Sequence, residues 1–265
     1  MATDGDVLSR FDQWLAALET RHLADLRTPE VTRGLRALSS AYVERRHKVA
    51  QGTALDGAGK RAAFALYYGP LHYLVVQRVL GALGVQPRRR IVDIGCGTGA
   101  GGAAWASMYT EPAAAKVSGV DRHPWAVEEA RWTYRFFGLD GSARVGDLAR
   151  LPSVGDESGI VAAYVLNELP EASRQRVEDE LLQAAGRGAA VLIVEPIARG
   201  VTPWWAEAVA RFRSGGARVD EWRFAADLPP SLARFAQAAG LRTTELTCRT
   251  IAANVAASQR REAAQ

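Results

Sequence analysis

The run Ile91-Val92-Asp93-Ile94-Gly95-Cys96-Gly97-Thr98-Gly99 constrains this chain more than any other part of it: an apolar segment ends in an acidic, glycine-studded turn, and an alanine-rich stretch follows. A strand, a tight turn and a helix in immediate succession call for a parallel sheet with helices packed on its faces. Glycines at 95, 97 and 99 let the backbone turn sharply and approach a ligand with no Cβ in between. Turns of this kind form nucleotide-like cofactor sites at the carboxyl ends of parallel strands.

The pattern on either side supports that architecture. Residues 7–86 read as helical: Thr28-Pro29-Glu30 starts a helix, and Val31, Leu35, Leu38, Tyr42 and Val43 follow helical spacing. A glycine-rich break at 51–59 precedes a helix over 60–68, Gly69-Pro70 punctuates it, and 71–83 resumes it. From Arg90 strands and helices alternate, with strands expected at 90–94, 116–120, 143–145, 159–166 and 189–195. The helices between them fall near 99–109, 124–137 and 171–185, and right-handed crossovers follow. The tail is expected to hold helices at 203–213 and 230–239 and a strand pair within 241–253. The domain reading is an N-terminal helical region, 1–86, and a cofactor-binding domain, 87–265.

Composition narrows the setting. The 265 residues are 48% hydrophobic and 23% charged, the balance of a globular chain. No apolar run approaches the roughly 20 residues of a membrane helix. The acidic start Met1-Ala2-Thr3-Asp4-Gly5-Asp6 lacks the basic and apolar regions of a secretory signal. Two cysteines, Cys96 and Cys248, supply neither a disulfide framework nor a four-cysteine metal site. A reduced, cytoplasmic setting with no membrane partner and no metal is the expectation. Lysine stands only at 48, 60 and 116, so the net charge of +4 is carried by arginine. The clusters Arg45-Arg46-His47-Lys48 and Arg88-Arg89-Arg90 are candidate RNA contacts, although such clusters commonly form solvated faces.

Two cofactor classes can use the glycine turn. Gly95, Gly97 and Ala100 satisfy a dinucleotide loop, whereas Asp93-x-Gly95-x-Gly97-x-Gly99 suits S-adenosylmethionine. Asp121, at the end of the second strand, can accept hydrogen bonds from ribose hydroxyls in either case. Asp147, after the third strand, stands where a carboxylate can take a hydrogen bond from the adenine amine, with Leu148 against the ring. A dinucleotide site does not call for that second acid. Asp93 suits an ammonium and a sulfonium and would repel the phosphates of a dinucleotide. The cofactor-binding set is therefore Asp93, Gly95, Gly97, Gly99, Asp121, Arg122, Asp147, Leu148 and Asn167.

Asp93–Gly99, Asp121, Asp147-Leu148 and Tyr164-Val165-Leu166-Asn167-Glu168-Leu169-Pro170 resemble the ordered motifs of class I S-adenosylmethionine-dependent methyltransferases, over roughly Arg88–Pro196. The resemblance implies a Rossmann-like, seven-stranded, mostly parallel α/β sheet whose last two strands are antiparallel, here with an N-terminal helical cap. A looser resemblance, carried by 35–42, 62–73, Asn167–Pro170 and Val194-Glu195-Pro196, is to the small-ribosomal-subunit methyltransferase-like family. That family is associated with ribosome assembly and often binds a metal centre through a cysteine cluster, which Cys96 and Cys248 cannot form. The alternative this opens is an assembly factor that contacts ribosomal RNA and performs little or no catalysis.

Methyl transfer from a sulfonium mainly needs alignment and exclusion of water, with a general base where the acceptor must lose a proton. Glu168, after the fourth strand, is the candidate base. Asn167-Glu168-Leu169-Pro170 departs from the Asn/Asp-Pro-Pro-Tyr of amide and exocyclic-amine methyltransferases, and no cysteine stands near this strand in sequence to serve pyrimidine carbon-5 transfer. Tyr67, Tyr68 and His72 are candidates to fold over the cofactor. Glu195 could contact substrate, as could Trp204, Trp205 and Trp222. His123 could stack near the adenine. The acceptor is a small molecule or RNA.

Overall fold

The computed structural model describes residues 4–44, 55–109, 114–150 and 154–255. Helices α1 (Asp4–His22) and α2 (Thr28–Glu44) come first. Helix α3 (Ala58–Ala63) runs through a wider π turn (Phe64–Tyr68) into α4 (Gly69–Leu83). Then come β1 (Arg90–Ile94), α5 (Ala100–Ala106), β2 (Lys116–Asp121), α6 (Pro124–Phe136), β3 (Asp140–Val145) and β4 (Ser158–Ala163). The chain continues through α7 (Glu171–Gly186), β5 (Ala190–Glu195), α8 (Trp205–Ser214), β6 (Arg218–Ala225), α9 (Pro230–Ala239) and β7 (Glu245–Ala253). The cluster Arg45–Lys48 lies outside the described residues.

The sheet has seven strands in the order β3-β2-β1-β4-β5-β7-β6. All neighbouring pairs are parallel except those made by β7, which runs against both β5 and β6. The architecture is therefore the Rossmann-like one expected. The tail differs in detail. The partner of β7 is not within 241–253 but is Arg218–Ala225, with α9 in between. That edge strand carries Arg218, Asp220, Glu221 and Arg223, charges of the kind that guard exposed sheet edges and obscure an apolar alternation.

Gly69-Pro70 does not break the helix as expected. Proline has no N–H to give and its ring would collide with the carbonyl four residues back, so a plain α-helix would kink here. The Gly69 N–H instead bonds to Phe64 O, five residues back, and the helix continues past Pro70. A glycine at positive φ ends α4, with Val85 N donating to Leu80 O at 3.0 Å.

One apolar layer joins the N-terminal helices to one face of the sheet. Tyr73 of α4 lies between Phe11 (centroids 4.9 Å) and Phe137 (5.5 Å), with Trp14 at 5.6 Å, all fully buried or nearly so. Helix α1 is tied to α6 through the buried Glu129, which accepts from Arg21 Nη2 at 2.9 Å and lies 3.2 Å from His22 Nε2. The second layer, Val177, Leu181, Trp205 and Phe212, covers the other face with α7 and α8. No helix among the described residues is long and apolar enough to cross a membrane.

Candidate functional site

The strand order reverses direction at β1, which has β2 on one side and β4 on the other. Crevices form at such points because the two crossovers leave in opposite directions. The carboxyl ends of β1, β2, β4 and β5 here enclose a cavity of about 700 Å³.

The glycine turn forms its floor. Gly95 has φ +61°, and a Cβ there would lie 2.1 Å from Val165 Cγ2, so both its conformation and its neighbours require glycine. Cys96 N donates to Val120 O and Gly97 N to Asp121 Oδ2, at 3.1 and 2.9 Å, which fixes the turn against β2. Gly99 caps α5 and packs on Ala130 and Tyr134 of α6 rather than lining the cavity.

Of the expected cofactor residues, Asp93, Gly95, Gly97, Asp121, Arg122, Leu148 and Asn167 line this one cavity, together with Glu168. Asp93 Oδ2 is already engaged: it accepts from Gly102 N at 2.7 Å and Tyr134 OH at 3.1 Å. Burial pushes its carboxyl up to about 7, against those two hydrogen bonds and with help from neighbouring Asp121. Asp93 thus anchors the start of α5 beneath the site. Asp121 faces the cavity, with His123 N donating to its Oδ1 at 2.8 Å. Asp147 stands at the end of β3 outside the lining, where it accepts from Ala149 N at 3.1 Å. Its neighbour Leu148 is buried against the cavity.

The loop after β4 is held from below. Glu195, fully buried at the end of β5, accepts from Leu166 N at 2.9 Å, Asn167 N at 3.3 Å and Asn167 Nδ2 at 2.6 Å. Burial raises its carboxyl to about 7, less than it would without those donors. Glu195 positions the loop rather than facing the cavity. Glu168 keeps 26% of its side chain exposed and lies 3.9 Å from Arg122 Nη2. Burial raises it to about 8, Arg122 opposing the rise and Asp121 and Glu195 adding to it. A carboxyl in that range suits proton transfer near neutrality.

The wall above is contributed by the π turn and α4. Phe64, Tyr68, Leu71, His72 and Val75 line it; Tyr67 does not, its hydroxyl lying 2.6 Å from Thr243 Oγ1. His72 stacks on Tyr164 (4.3 Å, 20°), and burial lowers it to about 4, leaving the ring neutral. Phe64, Leu246 and Thr247 also line the cavity and were not legible as site residues, because strand β7 brings the last two in from the far end of the chain. Trp204 and Trp205 instead stack under Arg174 and Arg249, and Trp222 donates to Thr250. His123 caps α6 through Nδ1, which accepts from Trp125 N.

Cys96 lines the cavity, but burial and then Asp93 and Asp121 hold its thiol well above the usual range. Cys248, distant from the fourth strand in sequence, comes near enough to Tyr164 to perturb it, and burial pushes its thiol up to about 12. Among the described residues no group of histidine, cysteine, aspartate or glutamate side chains could hold a metal ion.

The acids make the cavity a poor host for a diphosphate. Thr98 also lines the cavity, and its hydroxyl is buried with no protein hydrogen-bond partner. These residues fit S-adenosylmethionine, which carries an ammonium, a sulfonium and a polar nucleoside.

Residues 91–188 match the family model described as a methyltransferase domain. No curated protein matches the chain at a significant level. Among solved structures the chain is similar to an S-adenosylmethionine-dependent methyltransferase from Aquifex aeolicus, at 18% identity and TM-score 0.46, over 70% of this chain and 92% of that one. It is also similar to a TehB-like methyltransferase from Corynebacterium glutamicum, at 22% identity and TM-score 0.43, over 66% and 86%. A third is the Pyrococcus abyssi tRNA (uracil-54, C5)-methyltransferase in complex with S-adenosyl-L-homocysteine, at 17% identity and TM-score 0.42, over 71% and 38%. The family match falls on the segment that builds the acidic cavity, so residues 91–188 carry a methyltransferase domain.

Proposed function

We propose that S-adenosylmethionine lies across the tips of β1, β2 and β3, and that Glu168 receives the proton of an acceptor entering from the α3–α4 side. In this reading Asp121 accepts from the ribose hydroxyls, Leu148 packs on the adenine, and Asp147 reaches its exocyclic amine. Gly95 and Gly97 keep the backbone close to the methionine portion, with Gly99 capping α5 behind them, Asp93 beneath and Arg122 and Asn167 at its edge. The cofactor supplies an activated methyl group. The protein's residues bind, align and exclude water. Residues 1–86 act as a cap over the cofactor-binding domain, 87–265. The acceptor is a small molecule or RNA.

One observation carries this reading: the carboxyls of Asp121 and Glu168 face a single cavity at the point where the strand order reverses. Calorimetry with S-adenosylhomocysteine tests it, comparing the unaltered protein with Asp121→Ala. Binding that the substitution weakens supports the reading, and an unaltered protein that does not bind overturns it. No observation favours the ribosomal alternative; Arg88, one of its candidate contacts, is spent on Asp156 O and Asn254 O.

A further inference from the structure

The acceptor end of the cavity has a character of its own. Phe64, Tyr68 and His72 form a connected group with centroids 6.0–6.4 Å apart, and Tyr164 extends it by stacking on His72 at 4.3 Å. All four line the cavity. Two backbone irregularities put them there. The π turn at 64–68 carries Phe64 and Tyr68, and such turns concentrate at functional sites. Tyr164 has φ +58°, a conformation that costs a bulky residue about 1–3 kcal/mol and survives only where its surroundings enforce it.

The charges around this wall are equally specific. Among the described residues lining the cavity, Arg122 is the one arginine or lysine, and Glu168 already faces it at 3.9 Å. A phosphate would meet Asp121 and Glu168 with no cation to itself. Glu168 already pairs with Arg122 at 3.9 Å and the Asp121 oxygens hold Gly97 N and His123 N, so neither carboxylate is left to a permanent ammonium on the acceptor.

We infer that the acceptor is a small uncharged aromatic molecule bearing an ionisable hydroxyl, seated against Phe64, Tyr68, His72 and Tyr164 with that hydroxyl toward Glu168. The inference rests on the methyl-transfer reading and deepens it. The cavity, about 700 Å³ in all, holds the cofactor as well, so the acceptor's share of it is smaller. Transfer would leave the methylated oxygen, the thioether S-adenosylhomocysteine and the hydroxyl proton on the Glu168 carboxylate, so atoms and charge balance.

The test is binding to protein saturated with S-adenosylhomocysteine, followed by the fluorescence of 2-naphthol. Parallel titrations use 2-naphthyl phosphate, a (2-naphthylmethyl)trimethylammonium salt and a short RNA hairpin. 2-Naphthol is expected to bind at least tenfold more tightly than the other three. His72→Ala and Tyr68→Leu are each expected to weaken it at least tenfold, with an unchanged far-ultraviolet circular dichroism spectrum reporting an intact fold. Tighter binding of the phosphate, the ammonium or the RNA would overturn the inference, as would 2-naphthol affinity that neither variant changes. Failure of S-adenosylhomocysteine to bind the unaltered protein would remove the underlying reading instead.

Discussion

The side-chain amide of Asn167 donates to Glu195 Oε2 across 2.6 Å, while Oε1 of the same carboxylate takes the backbone N–H groups of Leu166 and Asn167. A fully buried acid on one strand thereby fixes the loop that follows the neighbouring strand. Glu195→Gln replaces one acceptor oxygen by a donor that faces the Asn167 amide. A loss of about 1–3 kcal/mol is expected, the penalty for leaving a buried donor unsatisfied. Urea unfolding reads it directly, and an unchanged midpoint would show that the loop is held by something else.

Asp121 serves the glycine turn as well as the cavity, since its two oxygens hold Gly97 N and His123 N. Asp121→Ala is expected to weaken S-adenosylhomocysteine at least tenfold. Asp121→Asn, which keeps one acceptor oxygen, should fall between. Calorimetry with equal affinities for all three proteins would remove Asp121 from the cofactor site.

Glu168 links pH to both stability and rate. Its folded carboxyl titrates at about 8 against 4.5 when free, so the folded protein holds a proton that the unfolded chain releases. The stability due to this group is complete below about pH 4.5 and is lost as pH rises through about 8. Asp93 and Glu195, both raised to about 7, act in the same direction. Thermal unfolding from pH 5 to 9 should therefore show a decline that Glu168→Gln makes shallower. As a base, Glu168 must be ionised, so turnover should climb toward pH 8 and the glutamine variant should lose that climb. A variant with the parental pH profile in both measurements would exclude Glu168 from this role.

Gly95→Ala combines a left-handed backbone with a Cβ placed 2.1 Å from Val165 Cγ2. The expected loss is about 2–4 kcal/mol, from backbone strain and overpacking together. Val165→Ala in the same chain removes both Cγ methyls and should recover part of it, the remainder being backbone strain and the 2.7 Å approach to the residue-165 Cβ that alanine keeps. A double-mutant cycle by denaturant unfolding measures that coupling, and strictly additive losses would contradict the contact.

Much of this architecture can be read from the residues because burial imposes a period. β1, β4 and β5 are central strands with nearly continuous apolar runs. The glycine turn and Asp121 are legible because each answers a local demand of the backbone or of a ribose. Strand β6 is not, since a charged edge strand satisfies no such demand. The stack of His72 on Tyr164 is equally invisible, because helix and strand meet there only through tertiary packing. The engagement of Asp93 with Tyr134 was beyond reach for the same reason: an acid beside a glycine turn looks alike whether it faces a ligand or a phenol.

The Gly69-to-Phe64 hydrogen bond accommodates one more residue in that turn than an α-helix would hold. Each residue of an α-helix advances the chain by roughly 100° around its axis. Deleting a single position there would rotate everything that follows, carrying His72 away from Tyr164 and Tyr73 out from between Phe11 and Phe137. The segment before Gly69 therefore tolerates exchange of side chains far better than any change in length, and a shortened homologue would have to rebuild both its core and its acceptor wall.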